Sequence, residues 1–351
     1  MKHSHSSKCG TNDIYSFLFI LLFSLYSPSA LAVEQDRGLG IYFDQDLLVP
    51  LLNQDRDYTM GMAIEFFWEK EKGLYPLDNL VKHAGRWFGL KELDNNVIYS
   101  FMLGTVNYTP DDLSNPLPIL NDRPYSSLIY LSNKRVRADK NNAVAAEVLL
   151  GILGTNVAKE TQTSLHRLWR NVTGSDEPVN PQGWSHQISN GGELTMRVRF
   201  ANSHLQQYLS KPGSWDVATT WGASLGYQTN ISASIAIRAG DINSSFWSLP
   251  FDPVNRGNFL PSAMKNEWYL WTAYRMHLVG YDALLQGQFR NSDVTFTSDK
   301  IEKVVHDCAV GLTIGRNNSQ ITLSVNAKSA ELKKAQKRRH YWGSVHYLFH
   351  F

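Results

Sequence analysis

The sequence predicts an all-β protein, a 12-stranded antiparallel transmembrane β-barrel of the bacterial outer membrane. Three observations carry this: an exported N-terminus, a final strand ending in Phe351, and alternating apolar segments throughout the chain. The composition agrees. With 34 Lys+Arg against 32 Asp+Glu the formal charge is +2, which excludes a polybasic nucleic-acid binder. Only 19% of residues are charged and 12% are aromatic, so the chain is not disordered. Two cysteines, Cys9 and Cys308, cannot build a disulfide framework.

Residues 1–32 read as a secretory signal. Lys2 and Lys8 precede an apolar run from Ile14 to Tyr26, and Ala30-Leu31-Ala32 is an A-x-A cleavage pattern. Cleavage leaves Cys308 as the sole thiol of a single domain, 33–351. No later segment offers ~20 consecutive apolar residues, so no spanning helix is expected. At the other end, Tyr341, Gly343, Val345, Tyr347, Phe349 and Phe351 share one strand face, alternating with Trp342, Ser344, His346, Leu348 and His350.

Twelve period-2 segments are expected, near 40–47, 59–69, 96–108, 126–135, 142–154, 191–202, 214–228, 231–241, 266–277, 302–315, 319–331 and 341–351. Met60, Met62, Ile64, Phe66 and Trp68 suit lipid, while Thr59, Gly61, Ala63, Glu65 and Phe67 turn to the lumen. Val217, Thr219, Trp221, Ala223, Leu225 and Tyr227 form another such face. A soluble sandwich would show polar residues on its outer face instead. An even count puts both termini in the periplasm. Loops 48–58, 109–125, 155–190, 242–265, 278–301 and 332–340 are then expected outside. The connection 70–95 is expected in the periplasm, with helical spacing in Leu77, Leu80, Val81, Ala84, Trp87 and Phe88.

Polar motifs crowd one rim: Gln45-Asp46, Asp55-Arg56-Asp57-Tyr58-Thr59-Met60-Gly61, Tyr108-Thr109-Pro110, Asp122-Arg123-Pro124-Tyr125, Gln162 to His166, and Trp184 to Asn190. In this order they resemble the LpxR family, the calcium-dependent lipid A 3′-O-deacylases of the outer membrane. The resemblance covers about residues 40–351. It implies hydrolysis of the 3′-linked acyloxyacyl ester of lipopolysaccharide at the outer leaflet by a monomeric integral barrel. It also implies His166, Asp46, Gln45, Thr59 and Gln162 as catalytic residues and Ca2+ near Asp46. Two positions depart from the family pattern. Gln45 replaces an asparagine, and Asn115 stands where some members carry a lysine that contacts substrate.

The residues themselves are compatible with this chemistry. Gln162 and His166 are four apart and share a helix face. A neutral imidazole can take a proton from an attacking water. Asp46 offers the oxygen ligation that a hard cation takes. Asp55, Arg56, Asp122 and Arg123 read as loop-bracing ion pairs. Lys333, Lys334, Lys337, Arg338 and Arg339 form a basic loop expected to meet the phosphates of lipid A. Gly222-Ala223-Ser224-Leu225-Gly226 matches a G-x-S-x-G elbow, but Ser224 lies mid-strand, where that motif needs a strand-to-helix turn. An outer-membrane phospholipase A would need a serine close to a histidine, and none is evident. The alternative to an enzyme is a catalytically degenerate barrel that binds lipopolysaccharide or forms a narrow channel.

Overall fold

The computed structural model describes residues 37–49, 56–69, 79, 83, 97–138, 141–174, 180–208, 214–249, 251, 266–333 and 338–351. The signal segment 1–32 and the helical spacing expected in 70–95 lie outside the described residues, apart from Asn79 and His83.

Twelve antiparallel strands close into one barrel: β1 (Arg37–Gln45), β2 (Asp57–Glu69), β3 (Val97–Thr109), β4 (Ser126–Ala138), β5 (Asn142–Leu153), β6 (Glu193–Tyr208), β7 (Trp215–Gly226), β8 (Gln228–Asp241), β9 (Glu267–Asp282), β10 (Val304–Arg316), β11 (Ser319–Lys328) and β12 (His340–His350). Each strand pairs with its sequence neighbours. The wall closes where Gly38 of β1 meets His350 and Gln45 meets Gly343 of β12. Closure leaves no strand edge unpaired, the condition for β-structure in lipid. No described helix is long and apolar enough to cross a membrane.

Alternation along the strands separates two environments. Ile41, Ile64, Phe66, Leu103, Leu131, Leu150, Leu194, Met196, Leu225 and Leu270 stand exposed on the outer wall. The opposite face fills the lumen. Tyr42, Tyr58, Phe67, Tyr108, Tyr130, Tyr227, Trp342 and Leu348 pack in one buried cluster. Between them run buried ion pairs: Lys134–Glu65 at 3.2 Å, Arg197–Glu147 at 3.3 Å and Arg238–Asp216 at 2.6 Å. Such pairs lose hydration on burial and recover it only with good geometry. Arg238 meets this condition through two bonds to Asp216.

Three expectations need correction. The connection 242–265 joins β8 to β9, and its anchor points, Asp241 and Glu267, lie at the barrel end where β2 finishes at Glu69 and β3 starts at Val97. It does not lie with the polar motifs. The link at the motif end is the tight β7–β8 turn at Tyr227, between Gly226 and Gln228. Gly226 takes φ +135, and a Cβ there would meet the Met196 carbonyl oxygen at 2.1 Å, so only glycine fits. That turn swings Tyr227 into the lumenal cluster, off the lipid face where alternation put it. The third correction concerns Thr59. The β2–β3 register shifts between Tyr58 and Met60. This bulge puts Thr59 on the outer face along with Met60, whereas strict alternation sends it inward.

Candidate active site

The β1–β2–β3–β4 register builds one rung across the outer wall at the motif end. Gln45 lies opposite Met60, Met60 opposite Asn107, and Asn107 opposite Ser127. Neighbouring strands are spaced by ~4.8 Å, so the rung is compact. Thr59 and Thr109 sit just above it, their hydroxyls 2.7 Å apart. All of these side chains are buried. Lower on the same faces, Ile64, Leu103 and Leu131 are exposed. The outer wall is therefore polar and covered at the motif end, and bare and apolar below.

The connection between β5 and β6 supplies part of the cover. It contains α1 (Val157–Thr173), which ends at Gly174 in the left-handed conformation that closes many helices. Ala158, Gln162 and His166 repeat at helical spacing and are all buried. Ala158 packs with Leu113, Tyr125 and Trp184. Trp184 donates its indole N–H to Gln162 Oε1 at 3.0 Å, so Gln162 is held in one orientation. After α1 the chain folds back onto the wall. Ser127 Oγ donates to Gln187 Oε1 at 2.9 Å, and the Ile188 amide donates to the Tyr125 carbonyl at 2.9 Å. Gly154, φ +72, lets this segment approach, because a Cβ there would lie 2.1 Å from the Ser189 carbonyl oxygen.

Asp46 opens the 3-10 turn that follows Gln45, and its side chain is almost wholly buried. Gln45 Oε1 and Gln162 Nε2 are buried with no hydrogen-bond partner among the described residues. No cluster of three or more His, Cys, Asp or Glu suited to a metal occurs among the described residues. The Asp46 carboxylate and the unpartnered side-chain carbonyl of Gln45 are oxygen donors of the kind a hard cation takes when it completes its shell with neutral oxygens.

The remaining predicted residues fall into two groups. Asn115 Oδ1 accepts the Leu117 amide at 2.9 Å, so it closes its own turn. Arg338 is engaged internally, with Nε 2.7 Å from Asp57 Oδ2 and Nη2 2.6 Å from Asp122 Oδ1. It does not face outward as a free cation, and this corrects the reading of the whole basic run as one phosphate-binding surface. Lys333 and Arg339 are exposed, while Lys334 and Lys337 lie outside the described residues. Arg56 pairs with Asp111 at 2.6 Å and Arg123 pairs with Glu331, the loop-bracing role expected for these arginines. Burial alone would raise the Glu331 carboxyl, but Arg123 and Lys328 hold it well below the usual carboxylate range. Ser224 Oγ donates to the Gln228 carbonyl within the wall, as expected of a strand serine.

Sequence reasoning missed Asn107, Ser127 and Glu331. Asn107 and Ser127 carry no motif of their own, and only strand register places them in the same rung as Gln45.

A closed wall with an apolar outer belt, a filled lumen and a covered polar row on its lipid side defines an integral outer-membrane β-barrel. The chain belongs to the LpxR family: the family model described as "Outer membrane protein LpxR" matches residues 17–351. Its fold is similar to that of LpxR from Salmonella typhimurium. The two are 18% identical over 90% of this chain and 100% of that one, with a TM-score of 0.69. More distant similarity extends to an outer membrane channel from Pseudomonas putida F1, 11% identical over 93% of this chain and 98% of that one, TM-score 0.41. The KdgM porin is 8% identical over 90% of this chain and 99% of that one, TM-score 0.35. No curated protein matches the sequence.

Proposed function

We propose that this protein is a lipid A 3′-O-deacylase that removes the 3′-linked acyloxyacyl group by calcium-dependent ester hydrolysis at the outer leaflet. The observation that carries this reading is the polar row on the lipid side of the wall. An ester anchored in a membrane presents itself to the outside of a barrel, so its hydrolase needs polar groups there. A channel needs an open polar lumen, and this lumen is packed with aromatic rings and ion pairs. The six motifs and membership of the LpxR family support lipid A as the substrate class.

His166 acts as the general base. It takes a proton from the water that attacks the acyl carbon and returns it to the leaving sugar oxygen. Gln162, fixed by Trp184, keeps an amide N–H without a partner among the described residues, which would serve the reacting groups. Thr59 and Gln45 supply further polar contacts. Asp46 and Gln45 Oε1 would hold calcium. When bound, that ion polarises the ester carbonyl. Lys333 and Arg339, with Lys334 and Lys337, would meet the substrate phosphates. The barrel would act as a monomer, because a second copy packed on this face would cover the row.

An apolar groove of about 1010 Å³ lies on the outer wall below the row, lined by Leu103, Ile129, Leu150, Ile152, Leu194 and Met196 among others. It offers a surface for the acyl tails.

The test is mass spectrometry of lipid A from cells expressing the protein, with and without calcium. Loss of one 3′-linked acyloxyacyl group, abolished by His166→Ala and by Asp46→Ala, is the expected result. An unchanged acyl pattern in the wild type would favour a degenerate barrel that only binds lipopolysaccharide.

A further inference from the structure

We infer that Asn107, which belongs to none of the predicted site residues, is a further catalytic residue: its side-chain amide donates to the acyl carbonyl oxygen of the substrate. The inference rests on the deacylase reading above and names one more group in the same site.

Its placement follows from register. Val106 and Tyr108 point into the lumenal cluster, and Leu103 stands exposed on the opposite face. Asn107 therefore lies on the outer face, two residues from Thr109, whose hydroxyl meets Thr59. In the rung it stands between Met60 and Ser127, two strands from Gln45. Its neighbours on the row are committed or apolar. The single Ser127 hydroxyl proton is taken by Gln187 Oε1 at 2.9 Å, with the Thr155 carbonyl 3.2 Å away, Thr109 is paired with Thr59, and Met60 carries no polar hydrogen.

Asn107 itself is 2% exposed, and neither its Oδ1 nor its Nδ2 has a hydrogen-bond partner among the described residues. A carboxamide brings two donors and an acceptor. Burying it unsatisfied destabilises the fold, whereas an apolar side chain of the same shape would not. A polar group kept in such a place serves a ligand that completes it. On the lipid-facing row of an esterase, that ligand is the ester carbonyl.

The step balances without another reactant. Water oxygen adds to the acyl carbon, and the carbonyl π electrons move onto the oxygen bonded by Asn107 Nδ2–H. The ester C–O bond then breaks. The products are the free acid and the sugar hydroxyl, which receives the proton carried by His166. Donors aimed at the oxygen where charge builds act mainly on the chemical step.

The experiment measures kcat and KM on detergent-dispersed lipid A, together with the temperature at which the folded barrel loses its faster electrophoretic migration. Asn107→Leu should lower kcat by ~10²-fold or more with KM little changed. Its unfolding temperature should equal or exceed that of the wild type, because the unsatisfied amide is gone. Asn107→Asp keeps the shape and the acceptors but lacks the N–H, so it should lose kcat as well. Wild-type kcat in either variant overturns the assignment. So does a lowered unfolding temperature in Asn107→Leu, which would show that the amide has a structural partner. If the wild type itself leaves lipid A intact while His166→Ala is equally folded, the deacylase reading fails, and the role of Asn107 falls with it.

Discussion

Removing the Arg338 guanidinium is expected to loosen the whole motif end of the barrel. Arg338 makes three charge-assisted hydrogen bonds: Nε to Asp57 Oδ2 at 2.7 Å, Nη2 to Asp57 Oδ1 at 3.0 Å, and Nη2 to Asp122 Oδ1 at 2.6 Å. It thereby joins the β11–β12 connection to the start of β2 and to the β3–β4 connection. Asp57 holds φ +65, a left-handed conformation that costs a non-glycine residue roughly 1–2 kcal/mol. Two residues on comes the bulge that sets Thr59 on the outer wall.

The magnitude follows from burial. Asp57 and Asp122 side chains keep only 4% and 5% exposure, so Arg338→Ala strands two nearly buried carboxylates. Hydrogen bonds to charged groups contribute ~1.5–3 kcal/mol each. Three on one guanidinium do not add, and breaking a buried pair costs ~3–5 kcal/mol. Asp122 retains the Arg123 and Asp111 amides, which puts the loss near ~3 kcal/mol, the lower end of that range. Burial opposes the charge of Arg338, but Asp57 and Asp122 outweigh it and raise its pKa, so the guanidinium stays charged at every accessible pH. At about 2 °C per kcal/mol for a chain of this size, the unfolding temperature should fall by roughly 6 °C. The assay is the heat-modified electrophoretic mobility of the folded barrel. Arg338→Lys should recover only part of the loss, because an ammonium cannot form the two-pronged contact. An Arg338→Ala barrel as heat-resistant as the wild type would refute the clamp and return Arg338 to the phosphate-binding run.

Further outcomes follow from the same geometry. Glu331, with its carboxyl pKa depressed, contributes stability that is full above the unperturbed value of about 4.3 and declines as pH falls below it. Acid unfolding profiles of the wild type should show this decline, and Glu331→Gln should flatten it. Gly154→Ala forces a Cβ against the Ser189 carbonyl, so it should displace the segment carrying Trp184 and Gln187, read as lost protection from protease within 183–192. Trp184→Phe removes the donor that orients Gln162 and should lower kcat more than it raises KM, measured on lipid A in detergent. Planar bilayers containing the purified barrel should show no steady conductance, because the lumen is filled; stable single-channel steps would contradict that packing.

The strand count and the lipid-facing residues were legible along the chain because period-2 alternation is a local property. Ile64, Phe66 and Leu225 need only their own neighbours to declare a face. Family motifs likewise marked Gln162, His166, Gln45 and Asp46. What alternation could not show is where it breaks. The Tyr58–Met60 register shift sends Thr59 outward, and the Gly226 turn sends Tyr227 inward, both through single backbone departures.

The sequence by itself therefore determined the class of protein: an aromatic-rich chain whose alternating strands must close in a membrane. Tertiary structure alone decided which residues meet. Asn107 and Ser127 join Gln45 through register with strands far apart in the chain. Arg338, read locally as one charge in a basic run, became the partner of Asp57 and Asp122 across the rim. The physical reason is range. Side-chain alternation is fixed by neighbours, whereas hydrogen bonds and ion pairs between loops depend on the closure that brings distant segments within 3 Å.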